Sequence, residues 1–225
     1  MPAMTATFQQ QAYDFVKAKI TTLGFKPGEY LTDAQIAGQL NISRTPVREA
    51  FHRLENEGLL NYEQRRGWKV YALALTDIEE IFDIKIAVEG LIARRAADCA
   101  DEELKTKLGH ALQQMAAAAQ DDNINAWFQA DQQFHDTLYR MADNDRARRV
   151  INNLNDQWHR VRIGFSAMQS RVKSSVGEHQ AIAASILAGN GEQAELHMRI
   201  HLQQVRDELV RLLANMVMPF VENGV

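Results

Sequence analysis

The chain has 225 residues, of which 46% are hydrophobic, so it is long and apolar enough for a packed core and is neither disordered nor fibrous. Its single cysteine excludes an intramolecular disulfide bond, and no stretch approaches the roughly 18 apolar residues of a membrane span. The first residues lack the basic start and apolar run of a signal peptide. We therefore expect a cytoplasmic protein without a membrane partner.

The net charge of −4 hides an uneven distribution. Residues 1–75 hold nine Lys and Arg against seven Asp and Glu, whereas residues 76–225 hold 16 against 22. A basic N-terminal part and an acidic remainder are compatible with a small nucleic-acid-binding domain joined to a second domain.

The first 75 residues are predicted to form a winged helix-turn-helix domain. Apolar residues recur at helical spacing in three segments, with Thr32 or Asp33 as the N-cap of the second and Ser43 as the N-cap of the third. Two short apolar runs then surround a turn containing Gly67, which indicates a β-hairpin that would form the wing. The predicted helices cover 8–23, 32–40 and 43–57, and the predicted strands cover 59–62 and 68–71.

The third helix has the properties of a DNA-recognition helix. Arg44 and Arg48 are one turn apart and project from the same face, and Arg bonds bidentately to the O6 and N7 atoms of guanine. Thr45 and the helix N-terminus suit a phosphate. The alternative is a solvated helix with ordinary surface arginines. The residues predicted to contact DNA are Ser43, Arg44, Thr45 and Arg48 in the helix and Arg65, Arg66 and Gly67 in the wing.

This region resembles the winged helix of the GntR family of bacterial regulators over about residues 8–75. The resemblance implies a homodimer that binds a short inverted repeat in double-stranded DNA, with one recognition helix in each half-site. The matching residues are Ile36-Ala37, Leu40 to Ala50, Leu54-Glu55, Glu57-Gly58-Leu59 and, at the wing tip, Arg65-Arg66-Gly67.

From Asp77 onward the periodicity predicts only helices, with Thr76 as the first N-cap. The fold class is therefore mainly α, with the winged helix-turn-helix domain in residues 1–75 and an all-α helical-bundle ligand-binding domain in residues 76–225. The predicted helices of the second domain cover about 77–99, 101–119, 121–142, 144–171, 174–188 and 191–219.

Four polar residues fall on the inward faces of these helices: Asp131, His135, His179 and His201. A buried acid is costly unless it is paired, and Asp and His four residues apart on a helix are able to bind one metal ion together. The set suits Zn²⁺, Ni²⁺ or another first-row divalent ion. The alternative is that each is a core residue satisfied by hydrogen bonds. His197, one turn before His201, is a candidate alternate ligand.

The C-terminal part resembles the FCD-type ligand-binding domain of the FadR branch of the GntR family over about residues 77–212. The resemblance implies that an Asp and three His hold a divalent metal and that a small organic-acid or sugar-acid carboxylate completes its coordination. The expected metal is Zn²⁺, with Ni²⁺ and Mn²⁺ as alternatives. The implied ligands are Asp131, His135, His179 and His201, and the matching segments are Asp131 to His135 with Leu138, Glu178 to Ile182, and Met198 to Leu202.

One departure from this pattern concerns the effector. An arginine is common on the first sensor helix about four residues before a Glu, whereas this chain has Lys85 before Glu89. Lys lacks the planar fork with which Arg clamps a carboxylate. We retain Lys85 as the candidate effector-binding residue, and this departure leaves two alternatives open, in which the effector is a different acid or is not an acid.

The sequence thus predicts a DNA-binding transcription regulator, with repression relieved by an effector favoured over activation. Two alternatives stay open. One is a metal-dependent enzyme, although no nucleophile–base pair is found in the sequence. The other is a regulator whose metal is purely structural or is itself the signal.

Overall fold

The computed structural model describes residues 7–162 and 169–221, except for the side chains of 158–162, 169–170 and 213–221. The described residues form nine helices and three short strands. In chain order these are α1 Phe8–Thr21, β1 Tyr30–Leu31, α2 Asp33–Leu40, α3 Arg44–Asn56, β2 Leu60–Glu63, β3 Gly67–Val70, α4 Leu75–Ala96, α5 Glu102–Gln120, α6 Ile124–Met141, α7 Asp145–Arg162, α8 Gln169–Leu187 and α9 Gly191–Val221.

The described residues fall into two compact units. The first runs to Ala74 and also includes the end of α7 from Asn155, and the second contains the rest of the chain from Leu75 onward. The mainly α fold class, with a winged helix-turn-helix before a helical bundle, is confirmed.

The first unit combines α1, α2 and α3 with a three-stranded antiparallel sheet of order β1-β3-β2. The predicted hairpin is β2 and β3, and its register pairs Leu60 with Val70. The sequence analysis missed β1, whose Tyr30 pairs with Lys69 of β3, because two residues are too short to show the alternation of a strand. The sheet and the helices enclose one hydrophobic core, which includes Val16, Ile20, Leu31, Ile36, Val47, Phe51, Leu54, Leu59 and Trp68.

Local capping explains where the helices of the helix-turn-helix begin and end. The hydroxyl of Thr32 accepts a hydrogen bond from the backbone N–H of Gln35, as an N-cap does. Ser43 also occupies an N-cap position with extended backbone, but its side chain makes no capping hydrogen bond. Between α2 and α3 the chain turns at Asn41, whose φ of 53° is in the left-handed region that Asn tolerates.

The second unit is a helical bundle in which α4 packs along α9 and α5 packs along α6, while α8 contacts both α9 and α5. This packing brings the inner faces of α4, α6, α8 and α9 together. Among the described helices, none combines the length and apolar character needed to cross a bilayer. The largest fully buried side chains of this unit are Phe82, Ile92, Leu108, Met115 and Phe134.

Two predicted helix boundaries differ from the structure. Helix α4 begins at Leu75, so Thr76 lies inside its first turn rather than at the N-cap. Helix α8 already begins at Gln169, so the predicted break near residues 172–173 is wrong, because the polar residues there continue the helix. Residues 163–168, which the predicted helix 144–171 included, lie outside the described residues.

Candidate nucleic-acid interface and candidate metal centre

Helix α3 presents a polar face at its N-terminus. Ser43, Arg44, Thr45 and Arg48 are all exposed, whereas Val47 on the opposite face is completely buried. Because the buried face fixes the rotation of the helix, the two arginines project outward together, as predicted. Their side chains therefore lie on a surface that a DNA groove could receive.

Arg48 is held by an acid of the preceding helix. Its Nε atom forms an ion pair with Asp33, the first residue of α2. The Arg48 side chain stays 62% exposed, whereas the Asp33 side chain is 17% exposed. The carboxylate thus restrains the guanidinium while leaving most of it accessible.

The turn between β2 and β3 carries the basic residues of the predicted wing. Arg65 and Arg66 are exposed. Gly67 has a φ of 98°, and a Cβ at this position would lie 3.1 Å from the backbone oxygen of Leu31. The wing tip therefore requires glycine both for its backbone conformation and for its close approach to β1.

A hydrogen-bond network beside the wing was not predicted. Tyr30 of β1 donates to Glu63 over 2.5 Å, Lys69 Nζ lies 3.1 Å from the same carboxylate, and Arg66 donates to the Tyr30 hydroxyl oxygen over 3.3 Å. The hydrogen bonds from Tyr30 and Lys69 hold the pKa of Glu63 below its ordinary value. This network had no signal in the sequence, because β1 was missing from the predicted sheet.

The four predicted metal-binding residues are brought together in the second unit. One nitrogen from each of His135 (α6), His179 (α8) and His201 (α9) lies within 4.8 Å of the others. Asp131 Oδ1 lies 3.2 Å from His179 Nε2 and 3.8 Å from His135 Nε2. His179 and His201 are buried, and His135 and Asp131 are mostly so.

Ring nitrogens in this cluster lack hydrogen-bond partners among the described residues. His179 Nδ1 donates to the backbone oxygen of Ser175 over 2.7 Å, so in a neutral imidazole Nε2 is the nitrogen that carries the lone pair. That Nε2 and Nδ1 of His135 are buried and make no hydrogen bond. His135 Nδ1 faces Glu89, whereas His179 Nε2 faces Asp131 within the cluster. Buried polar atoms usually have a partner, so an ion that accepts the lone pair of His179 Nε2 fits this position.

A buried ion pair lies against the cluster. Lys85 Nζ is 2.6 Å from Glu89 Oε1, with side chains 5% and 1% exposed. Glu89 Oε2 also lies 3.0 Å from His135 Nδ1, although not in line for a hydrogen bond, and accepts a hydrogen bond from the Tyr139 hydroxyl. The structure therefore places Lys85, the predicted effector contact, in a salt bridge beside the cluster.

The pKa values of the buried groups follow from these neighbours. Burial raises the pKa of Glu89, but Lys85 and His135 more than offset it, so the carboxyl stays ionised. Burial lowers the pKa of His135, and Glu89 reverses the shift to a raised value. Burial and the neighbouring His179 lower the pKa of His201 to about 4. His201 is therefore neutral at pH 7, as a metal ligand must be.

Three further residues of the second unit were not predicted to contact a histidine ring or lie apart from the cluster. His197, the candidate alternate ligand, has its Nδ1 atom 3.0 Å from Ser185 Oγ and 3.2 Å from the Ala181 backbone oxygen, and it is outside the group of three histidines. Glu178 lies 2.7 Å from His201 Nδ1. The contacts of Glu178 and Ser175 with imidazoles had no sequence signal beyond their positions in helical segments.

Known protein families match both parts of the chain. Residues 8–70 match the model "Bacterial regulatory proteins, gntR family", and residues 80–204 match the FCD domain. The chain belongs to the GntR family. It is a transcriptional regulator with an FCD domain rather than an enzyme, so the enzyme alternative is set aside.

Curated relatives match along most of the regulator. The uncharacterized HTH-type transcriptional regulator YdhC of Bacillus subtilis (strain 168) is 30% identical over 204 residues, which is 90% of this chain and 91% of that protein. The HTH-type transcriptional repressor RspR of Escherichia coli (strain K12) is 29% identical over 205 residues, which is 91% of this chain and 90% of that protein. The solved structure of E. coli McbR/YncC has the same fold, with a TM-score of 0.76 at 18% identity over 93% of this chain and 100% of that chain.

We expect His179→Ala to lose bound divalent metal and His197→Ala to keep it. The first substitution removes a buried nitrogen that faces the cluster, whereas His197 is held by Ser185 and Ala181 outside it. The measurement is the metal content of each purified full-length variant by elemental analysis, with circular dichroism to verify folding. Full occupancy in a folded His179→Ala variant would exclude His179 as a ligand.

Proposed function

We propose that this GntR-family regulator is a homodimeric repressor that leaves its operator when a small carboxylate binds at a divalent metal in the C-terminal domain. The observation that carries this proposal is the convergence of Asp131, His135, His179 and His201, where the buried Nε2 of His179 has no hydrogen-bond partner among the described residues. The division into a DNA-binding domain and an effector domain at about residue 75 belongs to the same proposal. The similarity to RspR, a transcriptional repressor, supports repression over activation.

The proposed DNA contacts divide between two elements. Arg44 and Arg48 of α3 read base edges in the major groove, and Thr45 and Ser43 bind phosphate at the helix N-terminus. The Ser43 hydroxyl suits this role because it makes no capping hydrogen bond. In the wing, Arg65 and Arg66 with the tight turn at Gly67 contact the minor groove or the backbone.

We expect Arg48→Ala to weaken binding to a specific operator by about 1–3 kcal/mol, the usual contribution of an arginine that reads a base. Arg66→Ala should instead weaken binding to all duplexes by a similar factor. It should also reduce the slope of the logarithm of the affinity against the logarithm of the salt concentration by about one. The operator is first selected by the wild-type protein from a random duplex pool, and affinities are then measured by fluorescence anisotropy at several salt concentrations.

The matched control for these variants is Arg148→Ala, which removes an exposed arginine of the second unit that pairs with Asp145. It should bind the operator as the wild type does. An Arg48→Ala variant with unchanged operator affinity would show that Arg48 reads no base.

A divalent ion held by the Asp and three His would supply a Lewis-acidic position for a carboxylate oxygen. The charges of the described side chains support an anionic effector. The acids Asp131, Glu89 and Glu178 exceed the cations Lys85 and Arg171 by one, so a bound divalent ion would leave one positive charge. A buried positive charge is stabilised by an anion.

Two side chains are candidates to contact the effector itself. The indole N–H of Trp127 is buried without a described hydrogen-bond partner, and its ring stands edge-on to His179 with centroids 6.3 Å apart. Lys85 is buried in its salt bridge with Glu89 beside the cluster, and its positive charge suits an anionic ligand. Both groups suit an anionic ligand beside the metal position.

We expect one class of small carboxylate to raise the melting temperature of the metal-loaded regulator, and to have no effect after chelation. A ligand that binds only the folded state at a hundredfold excess over its dissociation constant adds about 2.7 kcal/mol of stability. The measurement is a thermal-shift panel of mono-, di- and sugar-acid carboxylates. Trp127→Phe should reduce the ligand-induced shift while keeping the metal-induced one.

The same panel distinguishes the alternative in which the metal is structural or is itself the signal. In that case chelation lowers the melting temperature and alters operator binding, while no acid produces a shift. That outcome would contradict the carboxylate effector and leave the metal site intact.

Exposed apolar residues support the proposed homodimer. Leu91 and Ile84 are seven apart on α4, and Leu196 and Ile200 are four apart on α9, which packs along α4. Close to Leu91 the surface carries both signs of charge, since Glu195 pairs with Arg94 and Arg199. A surface with both apolar and oppositely charged groups is able to pair with a second copy of itself about a twofold axis.

We expect Leu91→Glu to shift the regulator towards the monomer, because a carboxylate would be buried at the interface. Val150→Glu on α7 is the control, since Val150 and Leu91 are both 44% exposed. The molar mass is measured by light scattering over a dilution series. An unchanged dimer in Leu91→Glu would exclude this face of α4 from the interface.

A further inference from the structure

Glu178 contacts a candidate metal ligand of another helix. It precedes His179 on α8, yet its Oε2 atom lies 2.7 Å from Nδ1 of His201 on α9. The His201 side chain is 5% exposed and that of Glu178 is 18% exposed, so little water competes for this contact. Because a carboxylate accepts hydrogen bonds, Nδ1 of a neutral His201 is the protonated nitrogen and Nε2 keeps its lone pair.

Arg171 holds Glu178 in place. Its Nη1 donates to Oε1 over 2.7 Å and its Nη2 donates to Oε2 over 2.6 Å, which is the bidentate arrangement of a guanidinium on a carboxylate. The two residues are seven apart on α8 and therefore lie on one side of the helix. The fork engages both oxygens of Glu178, so this carboxylate is turned towards Arg171 and the Nδ1 edge of His201 and is not a fifth ligand.

We propose that Glu178, fixed by Arg171, is a positioning residue that sets the tautomer and ring orientation of His201 for metal binding. This role rests on the proposed metal site. His179 receives the equivalent support from a backbone acceptor, the Ser175 oxygen, which no side-chain substitution removes. Hydrogen bonds of this kind fix the ring of a ligating histidine and make it a better donor to the metal.

The test compares Glu178→Ala, Glu178→Gln and the control Lys173→Ala in the full-length protein. Lys173 is an exposed residue of the same helix that pairs with Asp122. Zn²⁺ affinity is measured by competition with a chromophoric chelator, and the visible spectrum of bound Co²⁺ reports the ligand geometry. The melting temperature of each metal-free variant reports folding.

We expect Glu178→Ala to weaken Zn²⁺ binding about 10- to 100-fold, the usual effect of losing such a partner, and to change the Co²⁺ spectrum. Glu178→Gln should lose less Zn²⁺ affinity, because its amide oxygen is still able to accept a hydrogen bond from Nδ1–H of His201. Lys173→Ala should match the wild type in all three measurements.

Two results would overturn the role of Glu178 while leaving the metal site in place. One is wild-type Zn²⁺ affinity in Glu178→Ala. The other is an equal loss in Glu178→Ala and Glu178→Gln that accompanies a lowered metal-free melting temperature and an unchanged Co²⁺ spectrum, which is a general loss of stability. Failure of the wild type to bind either ion would instead overturn the proposed metal site and this role with it.

Discussion

Buried imidazole nitrogens without a hydrogen-bond partner among the described residues are the constraint on which the centre of the second unit depends. Histidines from α6, α8 and α9 meet with ring centroids 4.5–6.1 Å apart. Apolar side chains would fill this space without leaving polar atoms unsatisfied, and an unsatisfied buried polar atom costs about 1–3 kcal/mol. The helices therefore retain an arrangement that is unfavourable by itself, and the proposed cation shared between them would offset this cost.

The charged residues around the histidines are also costly to bury, and their positions suit the proposed metal site. Glu89 and Lys85 form a salt bridge that is almost fully removed from water, and such pairs are often no more stable than an apolar substitute. Glu178 and Arg171 form a second pair at the edge of the cluster. Glu89 and Glu178 also each lie within 3.0 Å of an imidazole nitrogen, so they place negative charge next to the rings. Their partner cations limit the total negative charge of the site. Their placement is better explained by the requirements of the site than by stability.

Features that depend on residues close together in the sequence could be predicted, whereas contacts between distant segments could not. Helical periodicity and capping residues predicted the recognition helix and the bundle, because both are properties of neighbouring residues. The pairing of Asp131 with His135 was also predicted, since four residues separate them on one helix. In contrast, β1 exists only through its partner β3, and a strand of two residues has no pattern of its own.

The contacts that support the histidines were beyond prediction for the same reason. Glu178 of α8 contacts His201 of the next helix, α9. Ser175 accepts a hydrogen bond from His179 through its backbone oxygen, which every residue type possesses. The link between Arg171 and Glu178 differs, because a spacing of two helical turns is visible in the sequence. This spacing alone did not indicate a role for Glu178, because the sequence does not show that Glu178 faces His201.

The short strand β1 has a consequence for how the first unit meets a duplex. Leu31 of β1 is followed directly by Thr32, the cap of α2, while Tyr30 pairs with Lys69 on the wing hairpin. The hairpin and the helix-turn-helix are therefore joined by backbone hydrogen bonds as well as by their shared core. These hydrogen bonds restrain the position of the hairpin relative to α2, and the shared core extends this restraint to α3. If the wing and α3 both contact DNA as proposed, a duplex whose groove width does not match their spacing would have to deform, and the stiffness of the DNA would then contribute to its recognition.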